Sequence, residues 1–98
     1  MNTEFVKETG KLTVSVVGKV DTSTAPDLEK AVFDHLDGVT ELVLDLNEMP
    51  YTSSAGLRTI LKLQKAMNQK GKMKVIHVCD EVMDIFELTG FSDFLTIE

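Results

Sequence analysis

Apolar and polar residues alternate along the first part of the chain in the manner of β-strands. Residues 12–16 alternate strictly, and Phe5 and Val6 form a short apolar pair before them. The dipeptide Thr9-Gly10 lies between these two segments and is typical of a tight hairpin turn. We therefore expect two antiparallel strands joined by this turn.

Three later segments carry apolar residues at the spacing of an amphipathic helix. Residues that favour N-caps precede each of them, and a glycine follows each one. The predicted helices cover residues 28–36 with Ser23 or Thr24 as N-cap and Gly38 as stop, Ser54 to Gln69 with Ser53 or Ser54 as N-cap and Gly71 as stop, and the segment from the N-cap Asp80 to about Gly90.

Short apolar segments separate these helices and follow the last one. They cover residues 42–46, 74–78 and 94–97, and the first is apolar enough to be buried on both faces. Strands that alternate with helices through short links predict right-handed crossovers and parallel pairing. The fold class is α/β, with a mixed, mainly parallel sheet of about five strands, helices packed outside it and an antiparallel strand at its edge.

Length and composition indicate one globular domain over residues 1–98. The 43% hydrophobic and 27% charged residues are close to the average of globular proteins. The net charge of -6 has the wrong sign for a protein that binds the phosphates of nucleic acid across a broad face. We expect no nucleic-acid partner.

Cysteine and histidine are too scarce for a disulfide framework or a metal cluster. The chain has one cysteine, Cys79, and two histidines, His35 and His77. Charged residues occupy the N-terminus where a signal peptide needs an apolar core, and no apolar stretch approaches the length of a membrane span. We expect a cytoplasmic protein with no cofactor, no metal and no membrane attachment.

Charge is distributed unevenly along the sequence. The net charge is -6 over residues 1–48, +6 over 49–74 and -6 over 75–98. The simplest interpretation is that Arg58 and the lysines after it form the solvated face of one helix. A surface that docks an acidic partner is the alternative.

The loop between the strand at 42–46 and the longest helix carries the strongest candidate residues. It ends in Thr52-Ser53-Ser54-Ala55-Gly56. A serine at this position has an ordinary role, because its oxygen can cap the free N–H groups of the first helical turn.

Two chemical roles for Ser54 compete with simple capping. A nucleophilic serine needs a base within hydrogen-bond reach, yet His35 is predicted late in the first helix and His77 inside a strand. The sequence also lacks the Gly-x-Ser-x-Gly elbow and a phosphate-binding glycine loop. Alternatively Ser54 is a phosphorylation site, since a phosphate is stabilised at a helix start and changes only the outer surface.

Three segments of the sequence together resemble the motifs of a known protein family. Gly18-Lys19-Val20-Asp21, the turn Ser53-Ser54-Ala55-Gly56-Leu57 and the segment Phe86-Glu87-Leu88-Thr89-Gly90-Phe91 resemble, in order and spacing, the STAS-domain anti-sigma factor antagonists of bacteria. The resemblance covers essentially the whole chain.

This resemblance implies a protein that switches partners and is not an enzyme. In that family the unphosphorylated antagonist binds an anti-sigma factor that is also a serine kinase, which frees the sigma factor. The kinase then phosphorylates the antagonist, and a serine phosphatase restores it. The resemblance places the acceptor at Ser54 and the loop aspartate at Asp21, near the acceptor across adjacent strand ends.

One departure from the family affects the choice of acceptor. Many members have Asp before the acceptor serine, whereas this chain has Ser53, which offers a second hydroxyl. Asp21 has two interpretations, an Asx-type turn and a partner contact. The candidate partner-binding residues are Asp21, Thr22, Ser23, Met49, Ser53, Ala55, Gly56, Leu57 and Arg58.

A second hypothesis of another class stays open. Related domains of this fold can act as a sensor or scaffold that binds a small ligand or nucleotide and is not phosphorylated.

Overall fold

A computed structural model describes all residues from Met1 to Glu98. Strands and helices alternate after an initial hairpin. In chain order the elements are β1 (Asn2–Glu8), β2 (Lys11–Val17), α1 (Ala25–Phe33), β3 (Glu41–Glu48), α2 (Ser54–Lys70), β4 (Lys72–Ile76), α3 (Asp80–Thr89) and a 3-10 turn (Phe91–Asp93).

The four strands form one sheet in the order β1-β2-β3-β4. β1 and β2 are antiparallel and meet at the Thr9-Gly10 turn, where Gly10 has a φ of 73° that favours glycine. The pairs β2/β3 and β3/β4 are parallel. The predicted α/β class, the hairpin and the mainly parallel sheet are confirmed.

The core lies between one face of the sheet and the helices. On β2, residues 12, 14 and 16 are buried while their neighbours are half-buried. Two successive right-handed crossovers that advance in the same direction place α1 and α2 on the same side of the sheet. The core cluster has 22 residues, and α3 contributes Val82 and Phe86 to it.

The end of the chain differs from its prediction. The segment 94–97 was expected to form a fifth strand, but only Ile97 pairs with β4, through an isolated bridge to Val75. Gly90 ends α3 in the left-handed conformation, and the 3-10 turn that follows uses Phe91 to Asp93. The N–H groups of Phe94 and Leu95 still bond the Phe91 carbonyl, so only the last residues can pair with β4 and the sheet has four strands.

Two boundaries also differ around the histidines. α1 ends at Phe33, and His35 follows it in a turn, where its ring stacks on Phe5 with centroids 4.0 Å apart. His77 was predicted inside a strand but follows β4 with a φ of 58°, and its side chain is exposed. The Nδ1 atom of His77 lies 3.0 Å from Oδ1 of Asp45.

Candidate functional site

Two loops lie side by side where β2 and β3 end. The first connects β2 to α1 (residues 18–24) and the second connects β3 to α2 (residues 49–53). Backbone hydrogen bonds join them, from Val20 N–H to the Tyr51 carbonyl at 3.0 Å and from Ser53 N–H to the Val20 carbonyl at 2.8 Å. This pairing brings the Asp21 turn next to the start of α2.

Asp21 organises the first loop. Its Oδ1 accepts hydrogen bonds from the backbone N–H groups of Ser23 and Thr24, at 3.0 and 3.1 Å, and from their hydroxyls, at 2.7 and 3.2 Å. These bonds, led by the Ser23 hydroxyl, lower the pKa of the Asp21 carboxyl below its ordinary value. The Asx-type turn considered from the sequence is therefore present.

Ser53 and Ser54 have different roles at the start of α2. Ser53 is the N-cap, and its Oγ accepts a hydrogen bond from Gly56 N–H at 3.3 Å. Ser54 is the first residue of the helix and is exposed, and its hydroxyl makes no hydrogen bond within the protein. Capping therefore uses Ser53 and leaves the Ser54 hydroxyl free.

Gly56 permits the close contact between the two loops. A Cβ atom at this position would collide with Oγ1 of the buried Thr52 and would lie 3.0 Å from Cγ1 of Val20. Any larger residue would require Thr52 to shift and would crowd Val20 of the β2–α1 loop. The position of Ser54 relative to Asp21 thus depends on a glycine two residues after it.

Electrostatically, α2 begins differently from the other two helices. The first turn of α1 contains Asp27, and the first turn of α3 contains Asp80 and Glu81. The first turn of α2 contains no acid, so no carboxylate within that turn offsets the partial positive charge of the helix N-terminus. Among the three helices, only α2 has a first turn without an acidic residue, so a negative charge added there would meet no carboxylate in the same turn.

Arg58 follows Ser54 by one turn and is exposed. It makes no ion pair, whereas Lys62 on the next turn pairs with Glu29 at 2.9 Å. A groove of about 240 Å³ runs between the starts of α1 and α2, and Thr22, Ala55 and Arg58 are among its lining residues. The free guanidinium therefore lies beside the loops described above.

Neither histidine of the chain is hydrogen-bonded to Ser54. His77 bonds Asp45, and His35 contacts the Ala31 carbonyl at 2.6 Å. The structure also holds no cluster of three or more His, Cys, Asp or Glu side chains that could bind a metal. Nor does any helix combine the length and apolar character needed to cross a membrane.

Comparison with known proteins is consistent with this architecture. The family model described as the STAS domain matches residues 2–98. The chain belongs to the STAS domain family. The Staphylococcus aureus protein named anti-sigma-B factor antagonist is 29% identical over 99 residues, which cover 99% of this chain and 92% of that protein.

Solved structures show the same fold. A crystal structure of an anti-sigma factor antagonist from Mycobacterium paratuberculosis is 26% identical with a TM-score of 0.88, covering 98% of this chain and 83% of that one. The anti-sigma factor antagonist SpoIIAA in its unphosphorylated form has a TM-score of 0.84 at 11% identity, covering 99% and 88% of the two chains. The latter likeness concerns the fold alone.

Three of the candidate partner-binding residues are buried in this STAS domain. Met49 and Leu57 are 1% and 5% exposed because both belong to the core cluster. Gly56 is also buried. In this structure these three residues lie beneath the exposed residues of the site.

The remaining predicted residues do lie at the surface of the STAS domain. Thr22, Ser23, Ser54 and Arg58 are exposed, and Asp21, Ser53 and Ala55 are half-buried. Tyr51 was not among the candidate residues, but it is 49% exposed in the loop before Ser53. An aromatic residue next to a run of hydroxyl residues was the available signal. We call the set Asp21, Thr22, Ser23, Tyr51, Ser53, Ser54, Ala55 and Arg58 the switch surface.

Proposed function

We propose that this protein is an anti-sigma factor antagonist controlled by phosphorylation of Ser54. Its unphosphorylated form binds an anti-sigma factor that has serine kinase activity, and this binding frees the sigma factor. The kinase transfers the γ-phosphate of ATP to Ser54, which reverses the binding. A serine phosphatase hydrolyses the phosphate and restores the active form.

The names of the relatives support the first part of this proposal. The Staphylococcus aureus protein is named as an antagonist of an anti-sigma factor, and it matches nearly the full length of this chain. The Mycobacterium paratuberculosis structure carries the same description at 26% identity. An anti-sigma factor is accordingly the partner that we assign to the switch surface.

The free hydroxyl at the start of α2 supports the second part of the proposal, which is the phosphorylation of Ser54. Ser54 is exposed and makes no hydrogen bond, so a kinase can reach its oxygen without breaking a contact of the fold. Ser53 is the weaker candidate because its oxygen already accepts the Gly56 N–H. A phosphate on Ser53 would compete with this cap, whereas a phosphate on Ser54 leaves it in place.

Helix electrostatics favour the phosphorylated product. A phosphoserine carries about -1.5 to -2 charge units at pH 7 and is stabilised near the positive end of a helix. The first turn of α2 has no carboxylate that would repel it. The fold accommodates the phosphate, and what changes is the charge and bulk of the switch surface.

Loss of binding then needs no refolding. The loops around Ser54 are held by backbone hydrogen bonds and by the Asp21 turn, so they form a firm platform. A partner packed on this platform would have to desolvate the phosphate or leave it unpaired, and either requirement is costly. The switch is therefore a local change at an interface.

Phosphorylation mapping tests the assignment. The purified protein is incubated with its cognate anti-sigma kinase and ATP, and the product is analysed by mass spectrometry for wild type, Ser54→Ala and Ser53→Ala. We expect one phosphate on Ser54 in the wild type, none in Ser54→Ala and near-normal labelling in Ser53→Ala. Undiminished labelling of Ser54→Ala would overturn the acceptor assignment.

A labelling experiment separates this function from serine hydrolysis. A fluorophosphonate probe modifies a serine that a neighbouring base activates. We expect no probe adduct on Ser54, because no histidine is hydrogen-bonded to its hydroxyl. A stoichiometric adduct on Ser54 would contradict the proposal that the protein acts by binding.

A further inference from the structure

Arg58 is the one basic residue on the switch surface, and it has no ionic partner. Lys62, one turn further along α2, is paired with Glu29 at 2.9 Å, and Lys30 is paired with Asp34 at 2.8 Å. The guanidinium of Arg58 makes no comparable contact with any carboxylate. It is thus available to a negative charge that the unmodified protein lacks.

Helix geometry places the Arg58 side chain within reach of Ser54. Residues four positions apart on a helix are neighbours on one face, with Cβ atoms about 5–6 Å apart. Each Cα–Cβ bond tilts toward the helix N-terminus, so a long side chain at position 58 leans back over the turn that begins at position 54. Both residues lie within α2 and both are exposed.

The order of the two charges is also the favourable one. An anionic residue four positions before a cationic residue gives the stronger of the two possible helical pairs. Guanidinium binds phosphate through two parallel N–H···O bonds, which a lysine cannot reproduce. Ser53 lies five positions before Arg58 and has extended backbone at the N-cap, so the same pairing does not apply to it.

We infer that Arg58 is the intramolecular counter-ion of the phosphate on Ser54. This inference rests on the proposed function, and it gives the switch a second component. Phosphorylation adds negative charge at Ser54 and at the same time occupies the guanidinium that was free on the switch surface. A partner whose acidic side chain contacts Arg58 in the unphosphorylated state would lose that contact as well.

The test uses phosphoserine incorporated at position 54 during translation, so that no kinase is required. The second pKa of the phosphate is measured by phosphorus NMR titration in the wild type and in the variants Arg58→Gln, Arg58→Lys and Lys62→Gln. An exposed pair four residues apart on a helix is worth about 0.3–0.5 kcal/mol, which corresponds to a shift of about 0.2 to 0.4 pKa unit. We expect the phosphate pKa to rise by at least this amount in Arg58→Gln, less in Arg58→Lys and not in Lys62→Gln.

A second readout separates a specific pair from a general charge effect. The Nε–H resonance of Arg58 should shift on phosphorylation of Ser54 and should shift less when the phosphoserine is placed at position 53. An unchanged phosphate pKa in Arg58→Gln, or an equal rise in Lys62→Gln, would overturn the inference. Either result would leave the phosphorylation of Ser54 intact, since kinase labelling tests that separately.

Discussion

The starts of α2 and α3 lie after neighbouring parallel strands, yet their first turns are built differently. α3 begins after Cys79, whose side chain makes no capping hydrogen bond, and it has Asp80 and Glu81 in its first turn. α2 begins after Ser53, which caps through its hydroxyl, and has no acid in its first turn. A negative charge stabilises a helix start. In α3 two acidic residues provide this charge, whereas the first turn of α2 has none. This difference supports the proposal that a phosphate is added at the start of α2.

The largest expected effect comes from the glycine that holds the α2 start against the neighbouring loop. Gly56→Ala should lower the free energy of unfolding by about 2–3 kcal/mol, because the new Cβ collides with Thr52 Oγ1. Gly38→Ala is the matched control, since its Cβ would meet no atom within 4 Å and only its φ of 76° is unfavourable. We expect a loss of about 1 kcal/mol in the control. Equal losses in urea unfolding would contradict the close contact at Gly56.

Changing the N-cap residue should have opposite effects on the stability contributed by the two helix starts. Ser53→Ala should lower the free energy of unfolding by about 1 kcal/mol, because the Gly56 N–H loses its acceptor. Cys79→Ser should raise stability by a few tenths to about 1 kcal/mol, since serine can cap a helix that now lacks a side-chain cap. Thermal unfolding of both variants measures the difference. A Ser53→Ala protein as stable as the wild type would show that the cap contributes nothing.

Adding a charge at the start of α2 and removing one at the start of α3 should change the free energy of unfolding in opposite directions. Both changes should be smaller than those of the cap variants. Ser54→Asp should raise the free energy of unfolding by about 0.5 kcal/mol, and Asp80→Asn should lower it by a similar amount. Ser54→Asn is the control for size, because it adds no charge. The effects should weaken in high salt. A destabilised Ser54→Asp with an unchanged Ser54→Asn would contradict the electrostatic interpretation of α2.

The smallest expected effect is the pH dependence that the Asp21 turn gives to the stability of the protein. Hydrogen bonds lower the pKa of this carboxyl in the folded protein, so its contribution to stability is present above the ordinary value of 3.8 and is lost as the pH falls through the lower folded value. The stability difference between wild type and Asp21→Ala should be constant from pH 7 to 5 and shrink at more acidic pH. Carboxyl NMR should give a titration midpoint below 3.8. A midpoint above that value would contradict the Asx-type turn.

Local patterns predicted the regular elements well. α2 was expected over 54–69 and covers Ser54–Lys70, because its apolar spacing is long and both of its ends carry recognisable caps. The hairpin at Thr9-Gly10 was equally clear. The structure of the short apolar segment at 94–97 could not be predicted from its pattern, since a run of four apolar residues fits more than one type of structure. Its residues complete a 3-10 turn and one bridge.

The candidate site was predicted in part. Its two loops and Ser54 follow from the order of strands and helices, because the ends of parallel strands meet at one edge of the sheet. The burial of Met49 did not follow, since an apolar loop residue can point into the core or outward, and only tertiary packing decides this. The sequence also could not predict that Arg58 is unpaired. Ion pairs depend on which carboxylates the fold brings near, as Glu29 of α1 pairs with Lys62 of α2.

The most direct measurement of the central claim is the affinity of the protein for its anti-sigma factor with and without phosphate on Ser54. Isothermal titration calorimetry on the unmodified protein, on protein phosphorylated at Ser54 and on Ser54→Ala provides the comparison. We predict tight binding of the unmodified protein and of Ser54→Ala, and an affinity at least about tenfold lower for the phosphorylated form, which corresponds to about 1.4 kcal/mol. Equal affinity of the phosphorylated and unmodified forms would contradict the account.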